Sequence, residues 1–354
     1  MHGFSGEVVT AHRDSSARIA AAEPRLRQRR EEIERAVLNP SATFAEGAGH
    51  RARPEDPDEF RTCFERDRDR IVHSPAFRRL AGKTQVVVYP TDHQRTRLTH
   101  AIEVAQCAVA MARGVGVNVS LVEAMALGHD CGHGPGGHAS EDAFDEFLPE
   151  GYDHGPWGAD VVLTGLNLCV ETLDGIRNHS WSRPAPATVE GEIVSWADRI
   201  AYCAHDLEDA IHAGIVSTGD IPEVIREVAG VSRREQLATF VNSMIRTTTA
   251  TGTVGMAPQV ARALGELRRF NYERIYTRPE SVSQSVAVVK VLRGLVSYYL
   301  EHPAALPADY RLDDQIHGAV AYVGGMTDRF AFDMAAKLLG WDPAKLPRGI
   351  GRGA

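Results

Sequence analysis

The chain has 354 residues and 43% hydrophobic content, which is ordinary for a soluble globular protein of one large domain or two smaller ones. Its formal net charge of -8 at pH 7 argues against a general nucleic-acid coat, which normally needs a basic face. The binding of any polyanion must therefore depend on local cations and not on overall charge.

Residues 1–58 are predicted to form an accessory region ahead of the main body of the chain. Within it, an Ala-, Arg- and Glu-rich stretch near residues 15–38 predicts a helix. The Pro-, Gly- and Asp-rich stretch at residues 39–57 predicts a mobile loop, because these residue types favour turns.

A helix is predicted from Arg97, because apolar residues recur at helical spacing along one face, at Leu98, Ile102, Ala105, Val109 and Ala112. His100 lies beside this apolar stripe. Ser120 and Glu123 have the spacing of a capping box, so a second helix is predicted to begin there and to end at His129.

The most informative stretch of the chain follows this second helix. His129 and Asp130 stand side by side, and a loop with four glycines and two further histidines comes next, at residues 132–138. Imidazole nitrogen and carboxylate oxygen are natural ligands for a divalent cation, and adjacent residues direct both into one small volume. Two ligands alone do not hold an ion, and the candidates for the others are His100 and Asp198.

A third helix is predicted around Asp198. Apolar residues recur at helical spacing over residues 193–211, and a neighbouring stripe carries the polar side chains Asp198, Tyr202, Asp206 and Asp209. One helix is therefore expected to present several oxygen groups along one side.

The rest of the chain predicts further helices and an all-α fold class. Turn residues at 214–230 separate a main domain at residues 59–213 from a C-terminal helical region at residues 214–354. Helical patterns in that region cover residues 257–276, 281–300 and 327–339. Strand patterns are scarce, and the best short example is residues 86–89.

The cysteines and the apolar segments indicate a cytoplasmic protein. Five cysteines without C-x-x-C spacing disfavour a disulfide framework and a structural zinc site. The N-terminus lacks the pattern of a signal peptide, and the most apolar late segment is interrupted by Lys290 and Arg293. No membrane partner is expected.

The order His100, then His129-Asp130, then Asp198 resembles the H…HD…D signature of the HD-domain metal-dependent phosphohydrolases. Flanking segments are similar to the deoxyguanosinetriphosphate triphosphohydrolases (dGTPases) and related deoxynucleotide triphosphohydrolases, at residues 64–80, 82–86, 95–100, 165–168, 196–202, 205–209 and 325–329. The resemblance implies an HD-domain fold with an N-terminal extension and a C-terminal helical region. It also implies a divalent ion on these four residues, Mn²⁺ or Mg²⁺ ahead of Fe, Zn or Ni.

The implied reaction is hydrolysis of a deoxynucleoside triphosphate at the α-phosphate, which releases the deoxynucleoside and inorganic triphosphate, with dGTP as the first expected substrate. His138, oriented by a carboxylate such as Glu141, would protonate the departing 5′ oxygen or act as the nucleophile, and the proton transfer is favoured. His133 matches a further active-site histidine and is assigned to the catalytic group.

The resemblance and the chemistry of guanidinium together assign the triphosphate contacts. Arg97 and Arg199 flank predicted ligands, and a guanidinium presents a fork of N–H donors to phosphate oxygens. His154 matches another histidine of the family and is assigned to substrate binding, against the alternative of a solvent-exposed loop residue.

The sugar contacts are assigned by resemblance alone. Gln85 and Asp206 match positions that hydrogen-bond the 3′-hydroxyl, and the ring of Tyr202 is expected to line the pocket. Ribonucleotides would be excluded by a residue packed against C2′, for which the candidates are Tyr272 and Tyr276.

Two other functions stay open on the sequence. One is another HD-type phosphohydrolase, a nucleotidase or phosphodiesterase. This alternative is disfavoured by the loop at residues 132–141 and the segment at residues 325–329. The other is a non-enzymatic regulator that binds a nucleotide or single-stranded DNA, which the intact ligand set and His138 disfavour. Relatives further imply a homo-oligomer and an effector site for a nucleotide or single-stranded DNA.

Overall fold

A computed structural model describes residues 3–5, 8–86 and 95–347, and this part of the chain is mainly helical. The predicted all-α class is confirmed. The sheet structure in the described part is one antiparallel hairpin near the N-terminus, β1 (Gly3–Ser5) and β2 (Val8–Thr10). Residues 87–89 of the predicted strand lie outside the described residues.

The first nine helices include the predicted helices that carry the HD motif. They are α1 (Arg27–Val37), α2 (Cys63–His73), α3 (Pro75–Arg79), α4 (Arg97–Val115), α5 (Val119–Gly128), α6 (Ala139–Phe144), α7 (His154–Trp157), α8 (Val170–Arg177) and α9 (Val189–His212). The helical spacing around Asp198 thus corresponds to α9, and the spacing from Arg97 corresponds to α4.

Six more helices make up the C-terminal part. They are α10 (Glu223–Ala229), α11 (Arg233–Thr251), α12 (Pro258–Asn271), α13 (Pro279–Glu301), α14 (Gln315–Gly324) and α15 (Asp328–Leu339). A π-helical turn, Tyr272–Tyr276, follows α12 directly. In the part of the chain that the structure describes, none of these helices has the length and apolar character needed to cross a bilayer.

Buried side chains form two clusters. The larger one lies among α4, α5 and α9, and α11 and α12 pack onto it through residues such as Phe240 and Leu267. The second cluster joins α6 to α13, α14 and α15 through residues such as Phe144, Leu292 and Phe332. The domain boundaries after residues 58 and 213 stay predictions.

The structure differs from the sequence prediction at the start of the first helix and in the turn segment after α9. Residues 15–26 are not helical, and α1 begins only at Arg27, after Leu26 in extended backbone. Pro24 disfavours helical backbone at residue 23, which counts against a helix continuing through this stretch. The turn segment at residues 214–230 contains the seven-residue helix α10, which ends at Gly230.

Helix α5 begins one residue before the predicted capping box. Its N-cap is Asn118, whose side-chain oxygen accepts hydrogen bonds from the backbone N–H groups of Ser120 (3.1 Å) and Leu121 (3.2 Å). Asparagine is among the strongest N-cap residues, so Ser120 is inside the helix and the Ser120–Glu123 box is wrong.

The segment at residues 39–57, predicted as a mobile loop, is irregular but packed against the helices. Ala45 is fully buried, and its N–H donates to Glu34 Oε2 at 3.0 Å. The Arg51 side chain is buried as well and donates to Asp67 at 2.6 Å. These contacts fix the path of a backbone that has no regular secondary structure.

Asp67 connects this segment to the helices and predicts a measurable stability loss. Its carboxylate also accepts from Cys169 N (2.8 Å) and Thr172 Oγ1 (2.7 Å), at the start of α8. Asp67→Ala removes the fully buried carboxylate that pairs with Arg51 and leaves Arg51 only the partly buried Glu55, at 2.9 Å. Because a broken buried ion pair is strongly destabilising, we expect the free energy of unfolding in urea to fall by about 3 kcal/mol.

The matched control is Asp69→Ala, on the same helix. Asp69 pairs with Arg61 and Arg68 at the surface, so its loss should cost at most about 1 kcal/mol. Equal losses for the two variants would contradict the assignment of Asp67.

Candidate metal centre and active site

One cavity of about 510 Å³ brings most of the predicted site residues together. Its walls come from α4, the loop after α5, α9 and the segment that leads into α13. The predicted residues that line it are Gln85, Arg97, His100, Asp130, His133, His138, His154, Asp198, Arg199, Tyr202, Asp206, Tyr272 and Tyr276. His129 and Glu141 lie next to it, in contact with Asp130 and His138.

The four predicted metal ligands converge at the bottom of the cavity. His100 Nε2 lies 3.1 Å from Asp198 Oδ1 and 3.9 Å from Asp130 Oδ2. His129 Nε2 lies 3.4 Å from Asp130 Oδ1 and 3.8 Å from Asp198 Oδ1. The ligand atoms of His100, His129 and Asp130 all lie within 4.8 Å of one another, and Asp198 Oδ1 adds a donor beside the two imidazoles.

The hydrogen bonding of His129 fits a metal ligand. Its Nδ1–H donates to the carbonyl of Ala126 at 2.7 Å, so Nε2 keeps its lone pair. Nε2 is buried and has no hydrogen-bond partner among the described residues. Burial lowers the pKa of His129 and so favours the neutral imidazole that binds cations. The cluster can therefore hold a divalent ion.

The two carboxylates of the cluster are held in the ionised form. Burial acts to raise the pKa of Asp130, but the charge of Arg97, whose Nη1 donates to it at 2.7 Å, holds the pKa well below the usual range. Burial likewise opposes ionisation of Asp198, and the hydrogen bond from His100 outweighs it, so its pKa is also lowered.

The glycine-rich loop after Asp130 runs close to Arg97. Gly137 has a φ of +64°, and a Cβ there would lie 2.8 Å from Arg97 Nη2. Gly136 has a φ of +73°, and its N–H donates to Asp328 Oδ1 at 2.8 Å. Glycine thus permits both the backbone conformation and the close approach to Arg97. The hydrogen bond to Asp328 attaches the loop to the start of α15.

Glu141 orients two imidazoles, those of His138 in this loop and of His154 at the start of α7. Its Oε2 lies 3.1 Å from His138 Nδ1, and its Oε1 lies 2.5 Å from His154 Nδ1. Burial works to raise the pKa of Glu141, but these two hydrogen bonds hold it well below the usual range. The His133 ring stacks on His154 at 3.7 Å between centroids, and its Nε2 lies 3.2 Å from Asp130.

Two guanidinium groups offer unused donors to the cavity. Arg97 Nη1 donates to Asp130, while Nε and Nη2 of Arg97 are buried without a partner in the described part of the chain. The guanidinium carbon of Arg199 lies over the Trp181 ring, 3.4 Å from its centroid, and Arg199 Nε is similarly unpaired among described residues. Gln85 Oε1 is a further unpaired acceptor in the same set.

The opposite wall carries the predicted sugar contacts. Asp206 is buried, and its two oxygens pair with Arg95 and the Tyr276 hydroxyl. Burial raises the pKa of Asp206, and Arg95 opposes that shift. The Tyr202 hydroxyl accepts from Arg268 Nε at 3.2 Å. Any sugar contact of Asp206 must therefore be shared with partners it already has.

Sequence reasoning missed His179, which lies inside this cluster. It follows α8 by two residues and is 2% exposed, and its Nε2 is 3.0 Å from His154 Nε2. A lone histidine after a short helix matches no motif, so only the packing of α8 on α5 reveals it. Trp181 and Arg268 were missed for the same reason. Arg95 lies in the segment at residues 95–100 that resembles the family, but the resemblance assigned it no role.

Comparisons with known proteins give the family to which the chain belongs. A family model described as HD domain matches residues 97–203, and one described as phosphohydrolase-associated domain matches residues 254–337. A deoxyguanosinetriphosphate triphosphohydrolase-like protein of Caldanaerobacter subterraneus is 38% identical over 318 residues, which cover 87% of this chain and 94% of the relative. One from Clostridium perfringens is 39% identical over 326 residues, with 86% and 95% covered. The chain therefore belongs to the deoxyguanosinetriphosphate triphosphohydrolase-like family and carries an HD domain.

Proposed function

We propose that the chain hydrolyses deoxynucleoside triphosphates at the α-phosphate and releases the deoxynucleoside and inorganic triphosphate, with dGTP as the first substrate. The observation that supports this most directly is the meeting of four ion ligands and two unsaturated guanidinium groups in one cavity. The mixed imidazole and carboxylate donors favour Mn²⁺ over Mg²⁺, which prefers oxygen ligands.

The chain's own residues divide the work in this proposal. A divalent cation on His100, His129, Asp130 and Asp198 supplies Lewis acidity toward a phosphate oxygen and toward water. Arg97 and Arg199 bind the triphosphate through their unpaired N–H groups. Since Arg97 also holds Asp130, it couples the position of the phosphates to the position of the ligand.

His138 acts as the proton donor to the leaving 5′ oxygen. Its Nδ1–H donates to Glu141, so in the imidazolium form the second proton is on Nε2, directed away from Glu141. The His138 side chain is 71% exposed, and it lines the cavity. Access to solvent lets the ring regain its proton after each turnover.

The resemblance also supports a cytoplasmic location, a homo-oligomer, and an effector site for a nucleotide or single-stranded DNA. These parts of the proposal depend on relatives of the family and not on the geometry of the cavity.

The reaction is tested by its products. Purified protein with Mn²⁺ and dGTP should give deoxyguanosine and inorganic triphosphate in equal amounts, measured by anion-exchange chromatography. Asp198→Ala removes a ligand, so it should abolish turnover and lower the bound Mn²⁺. The control is Glu208→Ala, which changes a partly exposed residue of the same helix and should retain both turnover and bound Mn²⁺. Orthophosphate or pyrophosphate as the main product would contradict the proposal.

His138→Ala should lower kcat by about 10²- to 10⁴-fold, the range of general acid-base catalysis, with the bound Mn²⁺ unchanged. Steady-state kinetics and metal analysis of the same preparation give both values. His73→Ala, at the exposed end of α2, is the control. A loss of Mn²⁺ from the His138 variant would place the residue among the ligands.

Tyr276→Ala should lower the preference for dGTP over GTP, compared as kcat/KM, by about 10- to 100-fold. Tyr276 lines the cavity, and its hydroxyl donates to Asp206, which restrains the ring on the wall where the sugar is proposed to bind. Tyr272 is 57% exposed and unable to enforce a steric limit, so Tyr272→Ala should change the preference little. The reverse ranking of the two variants would exclude Tyr276 as the discriminating residue.

A further inference from the structure

We propose that Trp181 is a positioning residue for the triphosphate, because its indole holds the Arg199 guanidinium in place and leaves the N–H groups of Arg199 free. The inference rests on the proposed assignment of Arg199 to the triphosphate. Trp181 lines the cavity and is 46% exposed. It lies on a turn after α8, which is closed by a hydrogen bond from Arg183 N–H to the Ser180 carbonyl at 3.0 Å.

The contact between Trp181 and Arg199 is a cation–π contact. The guanidinium carbon lies 3.4 Å from the ring centroid, well inside the distance of about 6 Å at which such contacts attract. The attraction arises because the ring face carries partial negative charge. Arg97 and Arg268 line the same cavity, so Arg199 lies among like charges. The indole therefore offers Arg199 a stabilising partner on a wall rich in cations.

The two arginines assigned to the triphosphate are held in different ways. Arg97 is held by a carboxylate, since its Nη1 donates to Asp130 at 2.7 Å. Arg199 has no carboxylate within ion-pair distance among the described residues, and its Nε is buried without a partner there. Stacking on an aromatic ring restrains the plane of a guanidinium but uses none of its N–H groups. Arg199 can therefore direct all its donors to phosphate oxygens.

Trp181 is itself attached to the helix that carries Arg199. Its Nε1–H donates to the carbonyl oxygen of Ser195 at 3.1 Å, and Ser195 lies about one helical turn before Arg199 on α9. The Trp196 ring, also on α9, packs at 76° to the Trp181 ring with 4.7 Å between centroids. The indole and the guanidinium are thus referred to the same helix.

The indole of Trp181 has little to offer the substrate directly. Its one donor is used by Ser195, and an indole nitrogen does not accept hydrogen bonds. Arg199 covers one face of the ring, so that face is not open to a nucleotide base. We therefore expect Trp181 to act on the substrate through Arg199.

The test is a double-mutant cycle that measures the Kd of inorganic triphosphate for the Mn²⁺-loaded protein, by isothermal titration calorimetry at a fixed free Mn²⁺ concentration. Trp181→Leu removes the aromatic face and should raise the Kd by about 3- to 30-fold, the range of a cation–π contact. Trp181→Phe keeps a face and should recover most of that loss.

Arg199→Ala should also raise the Kd, and adding Trp181→Leu to it should change the Kd no further. A residue that acts through Arg199 has no effect once Arg199 is gone, whereas independent effects add. Trp341→Leu is the matched control, because Trp341 packs against the second buried cluster and does not line the cavity. Its Kd should equal that of the wild type.

Four results would overturn the inference. They are the absence of triphosphate binding to the wild type, an unchanged Kd in Trp181→Leu, an unchanged Kd in Arg199→Ala, and an effect of Trp181→Leu that persists without Arg199. The last would indicate a direct contact or a purely structural role.

Circular dichroism checks the fold of each variant, and Trp181→Met takes the place of Trp181→Leu in the cycle if the latter does not fold. These measurements involve no hydrolysis. Products other than inorganic triphosphate from dGTP would contradict the proposed reaction and leave the result of the cycle intact.

Discussion

A buried, ionised carboxylate at the end of α5 is the constraint on which the site depends. Asp130 is 2% exposed, and an unpaired charge in such a place would cost several kcal/mol. Arg97, at the start of α4, neutralises the Asp130 charge directly, and the imidazoles of His129 and His133 contact the same carboxylate. The ends of α4 and α5 must therefore meet, and α9 packs across both, which places Asp198 opposite His100.

The second core matters to the site because it supports the loop that follows Asp130. Lys83 donates to the carbonyl oxygens of His133 and Gly324, and Asp328 accepts from the N–H groups of Thr84 and Gly136. The loop is thereby fixed between the helices that bear the proposed ion ligands and the C-terminal helices. His138 and Glu141, at the start of α6, take their positions from the same packing.

The features of this molecule that its sequence could predict are those formed by residues close together in the chain. The adjacency of His129 and Asp130 and the apolar spacing of α4 and α9 lie in short stretches of sequence, so the helices and the proposed ion site could be predicted. The Asn118 cap was missed because a better-known pattern stood two residues further on. His179 and Trp181 acquire their partners only through the packing of α8 and the segment after it, which no short motif encodes.

The contacts of Lys83 and Asp328 also bear on whether the HD segment can be separated from the C-terminal helices. All four proposed ion ligands lie between residues 97 and 203. The glycine-rich turn beside them, however, donates from Gly136 to Asp328, 192 positions away, and is connected through Lys83 to the carbonyl of Gly324. The HD segment is therefore not a portable module. Transplanted by itself, it would bring its histidines and aspartates along and leave behind the scaffold that shapes their neighbouring turn.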